Sequence, residues 1–180
     1  MGNNGRGKTT LLKMLAGALP QDKGKITLGH QVQVGYFPQN HSEVIDKKSS
    51  MTAFDWLKSR KETVNDQDVR GVLGKMLFGG DDAFKPISNL SGGETARLII
   101  GGMMLCNYNF LVMDEPNNHL DLEAVSALAW ALEDFQGTVI IASHDRGLLD
   151  DSVNKIISFK DTGPKLFDGP LEEYLLSNTL

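Results

Sequence analysis

The amino-acid sequence predicts an α/β fold built on a parallel sheet, and three observations predict it. Stretches of helical period alternate with short, continuously apolar runs at residues 110–113 and 138–142, the pattern of strands buried on both faces. A glycine-rich turn ending in Lys8-Thr9 passes straight into the first helix. Polar residues follow each apolar run, Asp114-Glu115 after one and Ser143-His144-Asp145 after the other, where open parallel sheets bind their ligands.

The chain has 180 residues, 18 basic and 23 acidic side chains, a net charge of −5 and 41% hydrophobic residues. A chain of this length buries roughly 70% of its unfolded surface, so its core needs no disulfide or structural metal. The single Cys106 agrees, because one thiol forms no internal bridge. Without a Cys/His cluster it reads as a small core hydrophobe in a reducing, cytoplasmic setting. No apolar run approaches the roughly 18 residues of a membrane span, and no secretory h-region follows the N-terminus. The acidic balance argues against general affinity for nucleic-acid backbone, though a local basic face on an acidic protein stays open.

The elements follow in order. Gly2-Asn3-Asn4-Gly5-Arg6-Gly7-Lys8-Thr9 fits the pattern G-x-x-x-x-G-K-[ST] without a mismatch. Leu11, Leu12, Met14, Leu15 and Leu19 then give a helical stripe that Pro20 ends. Residues 25–28 and 31–37 read as two short strands around Gly29, closed by Pro38-Gln39. From residue 41 to 89 the texture turns polar and helical, with helices over 51–60 and 66–78 and a loop at 79–82. Ser91 is an N-cap whose capping box is completed by Glu94, opening a helix that runs towards Asn107. After the strand at 110–113, Asp121 caps a helix carrying Leu122, Val125, Leu128, Ala129, Leu132 and Phe135, and Gly137 ends it. Residues 138–142 are a second buried strand, 155–160 the last strand, and 171–176 a terminal helix. The predicted organisation is a phosphate-loop core over residues 1–40 and 90–180, with 41–89 an inserted helical subdomain.

The chemistry follows from these placements. In a phosphate loop, backbone N–H groups and a helix N-terminus converge on one anion, and glycine lets the backbone come that close. Lys8 adds a full charge at the β- and γ-phosphates, and Thr9 a hydroxyl for Mg²⁺. Asp114 closes a buried strand as a Mg²⁺-binding aspartate must, and Glu115 is then the general base, or positioner, of an attacking water. His144, at the tip of the neighbouring strand, can donate to the γ-phosphate. His30 and His41 have no such context and read as loop residues; His119, in the acidic loop, is either structural or interfacial. Trp56, Trp130 and Phe135 fall at helical spacings and read as packing residues.

The order of these segments resembles the ATP-binding cassette (ABC) ATPases over nearly the whole chain. In that resemblance Gly2 to Thr9 is the Walker A loop, with Thr10 beside it, and Gln39 is the Q-loop glutamine, counted with the catalytic residues and the Mg²⁺ ligands. Leu90-Ser91-Gly92-Gly93-Glu94 is the signature motif, Phe110 to Glu115 Walker B plus the catalytic glutamate, Asn118 to Asp121 the D-loop and His144 the switch histidine. The fold implied is a P-loop NTPase, specifically an ABC-type nucleotide-binding domain. Leu-Ser-Gly-Gly-Glu together with Asp-Glu-Pro-Asn-Asn-His-Leu-Asp looks like the ABC-F branch, whose usual form has Thr where Asn117 stands.

That resemblance implies ATP and Mg²⁺ as ligands and a second cassette as partner, in the same full-length chain or a homodimer. The two would pair head to tail, so that Ser91, Gly92, Gly93 and Glu94 meet a nucleotide held by the other Walker A. Many ABC-F proteins act on the ribosome, which implies ribosome, rRNA and tRNA as partners and no membrane. Residues 169–175 resemble the family's ending, so the expectation is a second, C-terminal cassette. Met1 stands directly before Gly2, so the strand that leads into a phosphate loop is expected to be missing and the chain to be N-terminally truncated. The runner-up is the nucleotide-binding subunit of a membrane transporter, against which stand Glu94 and the Asn-His-Leu-Asp loop. A non-hydrolysing scaffold is the third reading, and the filled catalytic positions weigh against it.

Overall fold

The computed structural model describes residues 5–118, 120–133, 135–144, 153–160 and 163–177. Strands β1 (Val34–Phe37), β2 (Phe110–Asp114) and β3 (Thr138–Ala142) form a parallel sheet in the order β1-β2-β3. Phe37 is level with Met113, and Asp114 with Ala142, so the carboxyl ends of the three strands finish on one edge.

The alternation along β2 assigns the layers. Leu111 and Met113 join a core that takes in Leu98 of helix α4 (Gly92–Leu105) and Leu128 of helix α5 (Leu122–Glu133). Val112 points the other way, onto Leu12 of helix α1 (Lys8–Leu15). Helices α2 (Ala53–Ser59) and α3 (Asp66–Lys75) bring Leu57, Val69 and Leu73 into the same cluster as Leu98 and Leu111, so one continuous core runs from the helices to the sheet. Thr52 and Asn65 cap these two helices, each accepting from the backbone N–H three residues on. Beyond the sheet, β4 (Lys155–Lys160) and β5 (Gly163–Asp168) make an antiparallel hairpin covered by α6 (Leu171–Ser177) through Ile156 and Leu171.

The structure corrects several sequence expectations. Helix α1 stops at Leu15, short of Leu19 and Pro20. The N–H groups of Gly17 and Ala18 turn back to the carbonyls of Met14 and Lys13, a Schellman closure around Gly17 that leaves Leu19 exposed. Residues 25–28 are not a strand, and among the described residues no strand pairs with them. The strand expected over 31–37 begins only at Val34, because Gln31 is left-handed (φ 60°) and Asn109 occupies the ladder positions. The Asn109 amide accepts from Gln33 N–H at 2.9 Å and donates to Gln31 C=O at 3.0 Å. The loop expected at 79–82 instead opens a short 3-10 helix over Gly80–Phe84. β3 is less buried than predicted, since it is the edge strand among the described residues. Strand β5 was missing from the prediction: Pro164-Lys165-Leu166 carries no apolar alternation, and its partner β4 supplies the pattern instead.

Candidate nucleotide site

A cavity of about 370 Å³ opens at the carboxyl edge of the sheet. Gly5, Arg6, Gly7, Lys8, Thr9 and Thr10 line one side of it, and Gln39, Asp114, Glu115, Asn118 and His144 the other. Each reaches the cavity for a local reason. Gly7, at φ 92°, makes a left-handed turn that a side chain would strain, and its carbonyl then accepts the first helical bond from Leu11 N–H at 2.9 Å. Among the described residues no side chain caps α1, and its first turn holds no carboxylate, so the positive end of the helix faces the cavity uncompensated from within the turn. Gln39 follows Pro38 at the end of β1, and its neighbour Asn40 stops the strand by capping a short 3-10 helix. Gly2, Asn3 and Asn4 lie outside the described residues.

Asp114 is the electrostatic centre of this arrangement. It is 1% exposed, and among the described residues neither carboxylate oxygen has a hydrogen-bond donor. A buried carboxylate without donors is costly, and a cation at the cavity wall is the chemistry that relieves it. Thr9 lines the same cavity and supplies a hydroxyl, so the donor set is all oxygen and suits Mg²⁺. The field of Asp114 is felt on β1: the phenol of Tyr36 is pushed up to about 12, first by burial, then by Asp114, then by Glu43.

Glu115 is held beside it in a strained pose. Its backbone is left-handed (φ 48°), of order 1–2 kcal/mol for a residue with a Cβ. Two cross-strand bonds fix it: its N–H donates to Ala142 C=O at 2.7 Å, and its Oε2 accepts from His144 N–H at 3.3 Å. His144 Nε2 lies 3.4 Å from Oε1, so one carboxylate grips both the backbone and the ring of the histidine. The Glu115 side chain is 11% exposed and that of His144 58%, so the carboxylate is shielded while the imidazole reaches solvent.

Ser91, Gly92, Gly93 and Glu94 are not among the residues lining this cavity. They form the first turn of α4, where Ser91 Oγ accepts from Glu94 N–H at 3.1 Å and Glu94 Oε2 accepts from Ser91 N–H at 2.7 Å, the capping box the sequence predicts. Lys85 Nζ donates to the other oxygen of Glu94 at 2.7 Å. Burial would raise the Glu94 carboxyl, but the Lys85 and Ser91 contacts outweigh it and hold it below its ordinary value. Gly93 presses on the loop before α5: a Cβ there would sit 1.8 Å from Asp121 Oδ2. Asp121 accepts from Ala124 N–H at 2.7 Å, as the predicted cap requires.

Sequence reading missed one group, Arg97, and placed another, Asn118, in the D-loop without placing it at the cavity. Arg97, a buried charge on α4, spans Asp121 and Glu123, pinning the start of α5. Asn118 lines the cavity from the turn after Glu115, donating its N–H to the Glu115 carbonyl at 3.0 Å. Its three-residue offset from Glu115 was the available signal. The remaining expectations divide by location. His41 stacks edge-on with Phe37, centroids 5.3 Å apart, and His30 is an exposed turn residue. Trp56 is buried and Phe135 borders the core, while Trp130 is half-covered under Lys75, 4.7 Å from its ring. Cys106 is half-buried rather than core, its Sγ 3.6 Å from Arg60 C=O. His119 and Asp145 lie outside the described residues.

Comparison with known proteins bears on this geometry. A family model described as ABC transporter matches residues 1–118. The chain is 40% identical over 178 residues to the Probable ATP-binding protein YbiT of Escherichia coli O157:H7, covering 98% of this chain and 33% of that protein. It is 38% identical over 179 residues to ABC transporter F family member 5 of Arabidopsis thaliana, covering 99% of this chain and 26% of the other. A solved structure titled RNase-L Inhibitor superposes with a TM-score of 0.74 at 27% identity, covering 98% of this chain and 36% of that one. Another is the complex of an archaeal ribosomal stalk protein with the archaeal ribosome recycling factor aABCE1, with a TM-score of 0.73 at 26% identity, covering 98% and 36%. The chain thus spans between a quarter and about a third of these relatives.

Proposed function

This chain belongs to the ABC transporter family, in its F branch, and from that premise we propose that it binds Mg²⁺-ATP in the cavity at the sheet edge and hydrolyses it when paired with a second cassette. The observation that carries the reading is the shared cavity: Lys8 and Thr9 of the phosphate loop face Asp114, Glu115 and His144 across one space. The first turn of α1 and Lys8 would hold the phosphates. Thr9, Asp114 and Gln39 would hold Mg²⁺, which when bound neutralises charge on the β- and γ-oxygens.

The chain's own residues then divide the work. Glu115 is the carboxylate that stands at the cavity without being needed for the cation, and it serves as the base that orients and deprotonates water. His144 donates to the γ-phosphate from β3, and its contact with Glu115 links the two strand tips. Ser91, Gly92 and Gly93, which do not line this chain's cavity, would contact the nucleotide of the second cassette. That cassette is supplied either by the same polypeptide or by another copy.

The solved neighbour whose title names a ribosomal stalk protein and a ribosome recycling factor supports a ribosome-associated role; a cytoplasmic location and contact with rRNA or tRNA are part of the same proposal. No helix among the described residues is long and apolar enough to cross a membrane. Two substitutions test the ATPase reading. Lys8→Ala should abolish nucleotide binding, whereas Glu115→Gln should keep ATP bound and stop turnover in the cassette pair. Unchanged turnover in Glu115→Gln would overturn the assignment of the base.

A further inference from the structure

We propose that Lys47 is a positioning residue: it holds the Ser91–Thr95 turn at the start of α4, tying that turn to the segment that leaves Gln39. The inference rests on the preceding reading, in which this turn meets a phosphate.

Local structure aims the side chain. Ile45 is fully buried and anchors the segment in the core. Asp46 then builds a turn, its Oδ1 accepting from Lys48 N–H at 2.9 Å and its carbonyl from Ser49 N–H at 3.0 Å. Between these, Lys47 reaches 43 to 48 residues along the chain. Its Nζ donates to Leu90 C=O at 2.7 Å and to Thr95 Oγ1 at 2.7 Å. Thr95 Oγ1 passes the contact on, donating to Ser91 C=O at 2.6 Å. One ammonium therefore grips the residue before the turn, the last residue of the turn and, through that residue's hydroxyl, the first.

The placement is electrostatically unfavourable, and that is informative. An ammonium at a helix N-terminus opposes the helix dipole. Burial also pulls Lys47 below its ordinary value, with Glu94 opposing and Lys85 adding to that shift. A methionine of the same length would fill the space without either penalty, so the charge is not there for packing. What it supplies is direction: two short bonds that fix where Ser91 and Gly92 point. Gln39 lines the cavity, and Asn40, Ile45 and Asp46 connect it to Lys47 in eight residues, so the turn is referenced to this chain's own nucleotide cavity.

The experiment uses the assembled cassette pair, whether the second cassette is in the same polypeptide or a second copy. Lys47→Met removes the ammonium and keeps the stem, and Thr95→Val removes the hydroxyl relay with little change of volume. Displacing a phosphate-contacting group by a fraction of an ångström costs on the order of tenfold in rate. Each variant should therefore lower kcat about tenfold, while affinity and stoichiometry for a non-hydrolysable ATP analogue stay within about twofold. The retained stoichiometry excludes simple loss of folded protein, and Thr95→Val keeps the test open if Lys47→Met folds poorly. Wild-type kcat in both variants, or a kcat loss matched by a loss of binding, would overturn the proposal. Glu115→Gln is measured in parallel. If it stops turnover while both variants are normal, Lys47 alone is misassigned; if it turns over normally, the ATPase reading fails and this inference with it.

Discussion

Asp114 offers the sharpest test, because the reading makes two demands on it that pull in opposite directions. The carboxylate is 1% exposed and, among the described residues, has no hydrogen-bond donor on either oxygen. A buried charge in that state carries an effective penalty of several kcal/mol, against about 1–3 kcal/mol for an unpartnered amide. Asp114→Asn, nearly the same shape, should therefore stabilise the protein by about 2 kcal/mol when Mg²⁺ is chelated. For a chain of this size that corresponds to a rise in melting temperature of about 4–8 °C. In the same variant the gain from Mg²⁺ must disappear. The wild type should bind ATP far more tightly with Mg²⁺ than in EDTA, and Asp114→Asn should bind it about equally in both. The assay is thermal unfolding with and without chelator, paired with calorimetric titration of ATP. A lower melting temperature in chelator, or an intact Mg²⁺ dependence, would refute the account of this residue as a cation site held at the expense of stability.

Two further outcomes follow from the first turn of α4. Gly93→Ala would drive a methyl to 1.8 Å from Asp121 Oδ2, so it should destabilise the α4–α5 junction by about 1–3 kcal/mol, read as a lower urea midpoint, whereas Gly92→Ala should leave the midpoint within about 0.5 kcal/mol once helix propensity is counted. Glu94, whose carboxyl is held below its ordinary value, contributes stability that is present above about pH 4.5 and is lost as pH falls through the lower folded value. Glu94→Gln should therefore melt at a temperature that falls less steeply than wild type on acidification below that point, and equal slopes would count against the Lys85–Glu94 contact.

What the sequence made legible was what is contiguous in it. The end of the phosphate loop from Gly5 to Thr9, the capping box at Ser91 and Glu94, and the apolar run of β2 are each read within a few residues, and each stands where it was expected. The meeting of Lys8 with Asp114 was legible one step further out, because parallel strands that start level also end level, and their tips share one edge. What escaped was set by partners far away in the chain. Residues 25–28 look like a strand by composition but find no ladder among the described residues, and β5 looks like a loop until β4 pairs with it. Arg97 reads as one more helical cation until α5 brings Asp121 and Glu123 to it. Lys47 is likewise unremarkable until Leu90 and Thr95 arrive. Period and propensity are local, whereas these contacts are made by tertiary packing.

The two glycines of the signature turn separate the internal from the external demands on it. At Gly93 the fold itself requires the missing side chain, because Asp121 occupies the space, so its identity says nothing about a second cassette. At Gly92 a Cβ would meet nothing within 4 Å, and the backbone there is ordinary helix, where alanine is the better residue. Among the described residues nothing explains a glycine at 92, whereas a phosphate brought up by another cassette would need the bare backbone. The pairing reading therefore rests on Gly92 and Ser91 rather than on Gly93. Its decisive result is a Gly92→Ala variant that keeps its stability and its own ATP site but loses turnover in the pair. If that variant turned over normally, the turn would be a helix start and nothing more.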